Sequence, residues 1–265
     1  MTETTTPDAA PSARDKWERF LDRMRPERLA GGYGRTDDAI QFYLRIHALL
    51  NPDMTVLDYG AGRGNVYTDE CRFKRELTLL RGKVREVVGV DIDPEVILNR
   101  RLDRALVVGP LEPLPLDGGS IDLIVSNWVL EHIERPEFFA AQVERVLKPG
   151  GWFCAKTNHR WGLTSVASSL IPSNLHTGLL DRVQPGRREE DIHATYRRMN
   201  TMAAVVRHFP PEKWLNCSYY WKHEPSYHAK SPLLWRIMDA AFGVLPGFFV
   251  GTFNIFLQKK PGVPR

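Results

Sequence analysis

The stretch Val56-Leu57-Asp58-Tyr59-Gly60-Ala61-Gly62-Arg63-Gly64-Asn65 constrains the fold of this chain more than any other. A short apolar run, an acid and three glycines at alternate positions fall in one line. The apolar run reads as a buried strand. The glycines read as a turn bare of side chains, so a ligand can lie against its backbone. An acid at the strand's end can take up a cationic amine. Together these features predict a site for a nucleoside-type cofactor that carries an amino acid.

Around this turn, strand and helix patterns alternate. Thr55–Tyr59, Glu86–Asp91, Ala105–Val108, Ile121–Ser126 and Trp152–Thr157 read as strands. Gly64–Leu80, Pro94–Arg101 and Pro136–Leu147 read as helices, the last presenting Phe139, Val143, Val146 and Leu147 and followed by the stop signal Pro149-Gly150-Gly151. This βαβ rhythm implies an α/β fold: a Rossmann-like, seven-stranded, mostly parallel sheet with helices on both faces. Ligands of such sheets bind outside the carboxyl ends of the strands.

Ahead of the core, residues 1–13 read as a disordered tail and residues 14–52 as a helical cap. Trp17, Phe20, Leu21 and Met24 mark one amphipathic helix, and Ile40, Tyr43 and Leu44 a second, capped by Thr36 or Asp37. Tyr33, on the Gly31–Gly34 joint, packs these helices or closes over the cofactor. The cofactor-binding core spans 53–157. A lid insertion follows strand five over 158–200. Residues 201–261 complete the sheet with a helix (Thr201–Phe209), a strand (Trp214–Trp221) and a final strand (Thr252–Gln258), with a second insert at about 222–250. Inserts after late strands sit above the ligand end of the sheet, where a substrate enters.

Composition narrows the class. A formal net charge of +4, with Glu189, Glu190 and Asp191 sitting between the basic clusters, argues against nucleic acid as partner. Three scattered cysteines form neither a zinc spacing nor a disulfide framework; no metal is expected, and the chain fits a reducing cytoplasm. Ala240–Leu257 carries no charge, but Gly243, Pro246, Gly247 and Gly251 interrupt it. It reads as a helix, a Pro-Gly break and a strand, with peripheral contact at a membrane surface as the alternative.

Two details separate the turn from a dinucleotide site. Such sites place the third glycine one position later, where this chain has Asn65, and Asp58 would repel a pyrophosphate. In Val87-Val88-Gly89-Val90-Asp91-Ile92-Asp93-Pro94, an acid at the strand tip can accept both ribose hydroxyls. Asp91 takes that role, Ile92 packs on the adenine, and Asp93 caps the next helix. Asp91 lies about thirty residues after Gly60, beyond the usual span of about twenty, so a lengthened helix or loop is expected around Cys71–Lys83.

With Pro113–Val125, Val129-Leu130-Glu131-His132-Ile133 and Arg145–Gly151, the chain resembles the class I S-adenosylmethionine-dependent methyltransferases, in their small-molecule branch. The resemblance is strong over 54–157 and loose over 201–260. It implies S-adenosylmethionine as cofactor: Gly60, Gly62 and Gly64 cradling its methionine part, Asp58 holding its amine or shaping the turn, Asp91 on the ribose, and Ser126 and Asn127 beneath the sulfonium. The family often has an acid after strand three. This chain has Gly109-Pro110-Leu111, so adenine falls to the backbone of Leu111 or to Glu112. Ser126-Asn127-Trp128-Val129 lacks the proline pair of nucleobase-amine methylases.

Candidate bases are His132, after strand four, and His159, which begins the lid beside Arg160. The leading expectation is methyl transfer to a small-molecule acceptor, most readily a hydroxyl and with carbon and nitrogen acceptors left open, in a specialised-metabolite or glycan pathway. One alternative is a methylase of a lipid or lipid-linked sugar at the membrane. Another, of a different class, is a catalytically silent fold that binds cofactor or a partner protein. The sequence does not set the oligomeric state.

Overall fold

Strand β1 (Thr55–Tyr59) pairs in parallel with β2 (Glu86–Asp91) on one side and β4 (Ile121–Asn127) on the other. This is seen in a computed structural model that describes residues 13–64, 71–163, 165–166, 194–225 and 231–261. β3 (Arg104–Val107) continues the parallel sheet beyond β2, and β5 (Leu147–Asn158) beyond β4. The last strand, β8 (Gly251–Lys259), runs antiparallel between β5 and two short strands, β6 (Trp214–Asn216) and β7 (Tyr219–Lys222). The order is β3-β2-β1-β4-β5-β8-β6, with β7 also on β8.

Eight strands occupy seven positions, because β6 and β7 share one register along β8: Asn216 faces Leu257 and Tyr219 faces Asn254. The single strand expected over Trp214–Trp221 is interrupted at Ser218, whose Oγ accepts the ladder bond from Phe256 N at 3.2 Å. A side chain thus replaces one backbone acceptor, and the ladder stays satisfied.

Alternation along the strands builds two cores. Val56, Val87, Leu123, Val125, Cys154 and Phe256 face α2 (Asp38–Leu49), which contributes Ile40, Phe42, Tyr43 and Ile46. Leu57, Val88, Ile124, Phe153 and Ile255 face α4 (Pro136–Val146) and α5 (Met202–His208), which supply Phe139, Val143, Val146 and Val205. Burial on both faces is what parallel strands require. A third, smaller cluster joins α1 (Ala13–Met24) to α6 (Pro232–Val244): Phe20, Leu21 and Met24 pack on Trp235. Arg25 pairs with Asp239 and lies over the Trp235 ring, so the N-terminal cap is tied to the second insert.

Several expectations shift. Asp37, not Thr36, caps α2, accepting from Ile40 N at 3.0 Å; Leu44 is exposed, because the helix buries Phe42 instead. The helix expected over Gly64–Leu80 is described only as α3 (Arg72–Thr78), capped by Cys71, and residues 65–70 lie outside the described set. Pro94–Leu98 is a short 3-10 helix, closed by Asn99, not a helix to Arg101. Pro149-Gly150-Gly151 does not end an element: it lies inside β5, where the register against β4 shifts. The Pro-Gly break does separate α6 from β8, with Gly247–Val250 forming one helical turn. Among the described residues no helix is long and apolar enough to cross a membrane. Residue 164 and residues 167–193 of the expected lid, and residues 1–12 of the tail, lie outside the described residues.

Phe153 is fully buried, 5.8 Å from the Phe139 ring and 5.5 Å from Phe209. Phe153→Ala should lower unfolding stability by about 3–5 kcal/mol in urea titration, as deep aromatic truncations do. A loss near zero would mean that this face does not carry the core.

Candidate functional site

The strand order reverses between β1 and β4, and the crevice at that switch point is where such sheets take ligands. Gly60, Gly62 and Gly64 occupy it, all in the left-handed region (φ 77°, 54° and 74°), which glycine enters without strain. Gly60 N and Ala61 N both donate to Val90 O, at 2.8 and 3.1 Å, fastening the turn to β2. A Cβ on Gly60 would strike Val129, and one on Gly64 would strike Asn99; at Gly62 it would meet nothing within 4 Å. The turn is therefore packed at both ends and open in the middle.

Asn99, buried, holds that opening from behind. Its Nδ2 donates to Ala61 O and Gly62 O at 3.0 and 3.1 Å, and its Oδ1 accepts from Arg101 N at 3.0 Å. Sequence reading missed it, because Asn99 falls inside the helix expected over Pro94–Arg101, where an Asn carries no signal of its own.

Asp91 joins the same structure: Oδ2 accepts from Gly62 N at 2.8 Å and Oδ1 from Asp93 N at 2.9 Å. Asp93 caps the 3-10 helix through Glu95 N (2.9 Å) and also meets Arg63. Asp58 lies at the end of β1, in register with Gly89. Burial pushes its carboxyl up to about 6, with Arg101 opposing and Asp91 adding to the rise. Burial and the Asp58 charge likewise raise the Tyr43 hydroxyl above its ordinary value. The glycines, Asp58 and Asp91 are thus brought together. Ile92 and Leu111 are each 47% exposed, and Glu112 Oε2 accepts from Gly109 N at 2.9 Å.

At the end of β4, Ser126 Oγ and Asn127 Oδ1 are buried without a hydrogen-bond partner. Trp128 follows with φ 60°, rare for a bulky residue, its N donating to Lys156 O at 2.8 Å. Lys156, on β5, went unnoticed in the sequence, where it reads as one polar residue in a strand. It is 2% exposed, its Nζ 3.2 Å from Asp38 Oδ2 and 5.1 Å from the Trp128 ring. Burial works against the Asp38 carboxylate, but Lys156, His223 and Lys74 outweigh it and hold that group below the usual carboxylate range.

His132 and His159 lie at the two ends of the insertion. His132 Nδ1 is 2.9 Å from Ala194 O, an acceptor, so the proton sits on Nδ1. His159 Nδ1 accepts from Trp161 N at 3.2 Å, which puts the proton of the neutral ring on Nε2. The rings of Tyr220, Phe248 and Phe253 surround His159, and burial lowers its pKa. Between the two histidines, Asn200 Nδ2 donates to Thr157 Oγ1 and Asn158 O (both 2.7 Å), and Thr157 Oγ1 donates to Glu131 Oε2 at 2.6 Å. Tyr196 N and Arg197 N close the loop onto Glu131 O, at 2.8 and 3.0 Å. Tyr33 packs on Phe73 of α3, ring centroids 5.6 Å apart.

Known proteins share this arrangement. Residues 57–155 match the methyltransferase domain family. A Mycolicibacterium smegmatis protein bearing the name "Probable S-adenosylmethionine-dependent methyltransferase" is 34% identical over 85 residues, 31% of this chain and 33% of that one. Residues 57–155 are thus a methyltransferase domain. Malonyl-acyl-carrier-protein O-methyltransferase of Methylococcus capsulatus is 33% identical over 106 residues, 38% of this chain and 36% of its own. A chain from the complex between the Haloferax volcanii Trm112 methyltransferase activator and a methyltransferase superposes with a TM-score of 0.51 at 18% identity, covering 96% of this chain and 100% of its own. The chain spans about a third of the length of the curated relatives it matches.

The methyltransferase domain fits S-adenosylmethionine on observations of its own. The open side of Gly62 leaves backbone bare for a ligand. Each Asp91 oxygen accepts one backbone bond and keeps a lone pair for a hydroxyl. Asp58 is a carboxyl that burial holds above its ordinary pKa even with Arg101 opposing, so a further cation beside it would favour its ionised form.

Two outcomes follow for the domain. Because the Asp58 pKa stands above its ordinary value, the ligand-free fold gains stability as pH falls from about 6 toward 4. An ammonium ligand needs the ionised form, so S-adenosylhomocysteine affinity should weaken below about pH 6 and its binding should release a proton there. Calorimetry in two buffers of different ionisation enthalpy measures both, and a flat profile from pH 5 to 8 would count against Asp58. Gly62→Ala should reduce stability by only about 1–2 kcal/mol yet block ligand binding, because its methyl group enters open space.

Proposed function

We propose that this chain transfers a methyl group from S-adenosylmethionine to a hydroxyl oxygen of a small-molecule acceptor in a specialised-metabolite or glycan pathway. The observation that carries the reading is the joint between the glycine turn and Asp91, which accepts from Gly62 N while its other oxygen orders the next turn. In this reading Asp58 takes the ammonium and Asp91 the ribose hydroxyls. Gly60, Gly62 and Gly64 give the methionine part a bare floor. Ile92 covers one face of the adenine, and Leu111 offers its backbone to the ring edge. Ser126 and Asn127 lie beneath the reacting end. The cofactor supplies a sulfonium-activated methyl group, and displacement from it demands alignment above all.

His132 and His159 orient the ends of the insertion, each through Nδ1. As a base, His132 would act through Nε2; His159, with Nδ1 accepting from Trp161, serves as a wall and a donor. A curated relative that methylates oxygen supports the acceptor class, through a match to 36% of its length.

A second reading, methylation of a lipid or lipid-linked sugar at a membrane surface, is favoured by α6. Its inner residues Trp235 and Phe242 are buried, while Leu233, Ile237 and Val244 are 70%, 57% and 84% exposed along one outer stripe.

Asp91→Ala should weaken S-adenosylhomocysteine binding more than tenfold, since charge-assisted hydroxyl contacts contribute roughly 1.5–3 kcal/mol. Unchanged affinity would leave Asp91 a purely structural acid, and no binding by the wild-type chain would favour a catalytically silent fold. Co-sedimentation with phosphatidylglycerol–phosphatidylcholine vesicles tests the second reading. Leu233→Gln with Ile237→Gln should reduce pelleting about tenfold or more, and a wild-type chain that stays in the supernatant rules that reading out.

A further inference from the structure

Three polar side chains stand abreast at the carboxyl edge of the sheet, on the face roofed by α2. Asn127 is in register with Lys156, and Lys156 with Asn254, across β4, β5 and β8. Each lies two residues beyond an apolar side chain of the same face, Val125, Cys154 and Phe256. Position and chemistry are at odds here: the row continues a hydrophobic layer with an ammonium and two amides.

Asn254 is fully buried, and neither its Oδ1 nor its Nδ2 has a hydrogen-bond partner; Asn127 Oδ1 is buried and unmet too. Lys156, charge-balanced by Asp38, lies between them with the Trp128 indole alongside. An amide buried with nothing to bond is destabilising, and an apolar side chain of the same size would be better tolerated. The unmet atoms are two acceptor oxygens and one amide donor, next to the ammonium. A carboxylate or phosphate would answer the donors and set its charge against both oxygens. A hydroxyl donates one bond and accepts two, so it answers both kinds.

We infer that the Asn127–Lys156–Asn254 row is the subsite for the acceptor's hydroxyl group, with Lys156 and Asn254 as positioning residues that select alcohol, phenol or sugar acceptors. The inference rests on the methyl-transfer reading and names the substrate class of that site. Trp128, held at φ 60°, sets its ring 5.1 Å from Lys156 Nζ beside the row.

Asn254→Leu in the full chain tests it, with glycerol as the hydroxyl probe. The substitution removes two unmet polar atoms, so Tm should rise by about 2–4 °C, with S-adenosylhomocysteine affinity within about twofold of wild type. Wild-type crystals grown with S-adenosylhomocysteine and glycerol should place a glycerol oxygen within hydrogen-bond distance of Lys156 Nζ and an Asn254 amide atom, and Asn254→Leu crystals should not. A fall in Tm overturns the subsite, as do water molecules that alone saturate both amides in the glycerol-grown crystal. Glycerol in the same place in Asn254→Leu would mark an adventitious additive only, and also overturns it. Failure of the wild-type chain to bind S-adenosylhomocysteine overturns the methyl-transfer reading instead, a result that glycerol binding does not touch.

Discussion

The carbonyl of Val90 accepts from two successive amides, Gly60 and Ala61, and the candidate site depends on that pair of bonds. They bend the chain sharply at the end of β1 and pin the bend to β2. The bend is possible only in the left-handed region, so glycine recurs where it does. Once the turn is pinned, Gly62 N points at Asp91, and the acid at one strand tip becomes part of the floor at the next. Gly89 completes the fit from below: a Cβ there would run into Leu102 and approach Ala61. Asn99 then locks the carbonyl side. The floor of the candidate site is thus set by backbone geometry first and side-chain chemistry second.

Much of this was legible in the sequence, and the reason is periodicity. Thr55–Tyr59 and Glu86–Asp91 begin and end where their apolar runs do, because strands buried on both faces leave little room for polar residues. The glycine spacing located the turn, and the position of Asp93 before Pro94 identified the cap. What escaped notice depends on partners distant in sequence. Asn99 acquires meaning only when Ala61 and Gly62 lie against it, and Lys156 only when Asp38, Phe42 and Trp128 converge on it. The strained Trp128 carries no local signal either, since nothing in the dipeptide Asn127-Trp128 requests a positive φ. The Pro149-Gly150-Gly151 run misled for the converse reason: a strong local breaker is absorbed by a shift in register between two long strands.

The helices ahead of the sheet are part of the candidate site. Asp38 stands in the first turn of α2 and meets Lys156 at the sheet's edge, while Asp37 caps the helix and pairs with Lys74 of α3. Glu224, just after β7, lies against Gly34 and within reach of Thr36 and Arg25. Burial raises its pKa, with Arg25 and Arg28 opposing. The chain's first and last thirds therefore meet through buried charge above the strand ends. Segments nearly two hundred positions apart in sequence touch there.

β8 holds the middle of the far half of the sheet, with β5 on one edge and β6 and β7 on the other, and these last two pair with nothing else among the described residues. During synthesis the first five strands can pair with one another before β6, β7 and β8 have been made. β6 and β7 cannot: both precede in the chain the one strand they pair with among the described residues. Until β8 is made, Trp214 and Tyr219–Trp221 have no sheet edge to join, and their own edges stay open to any other strand. The last strand made is the one that closes the sheet.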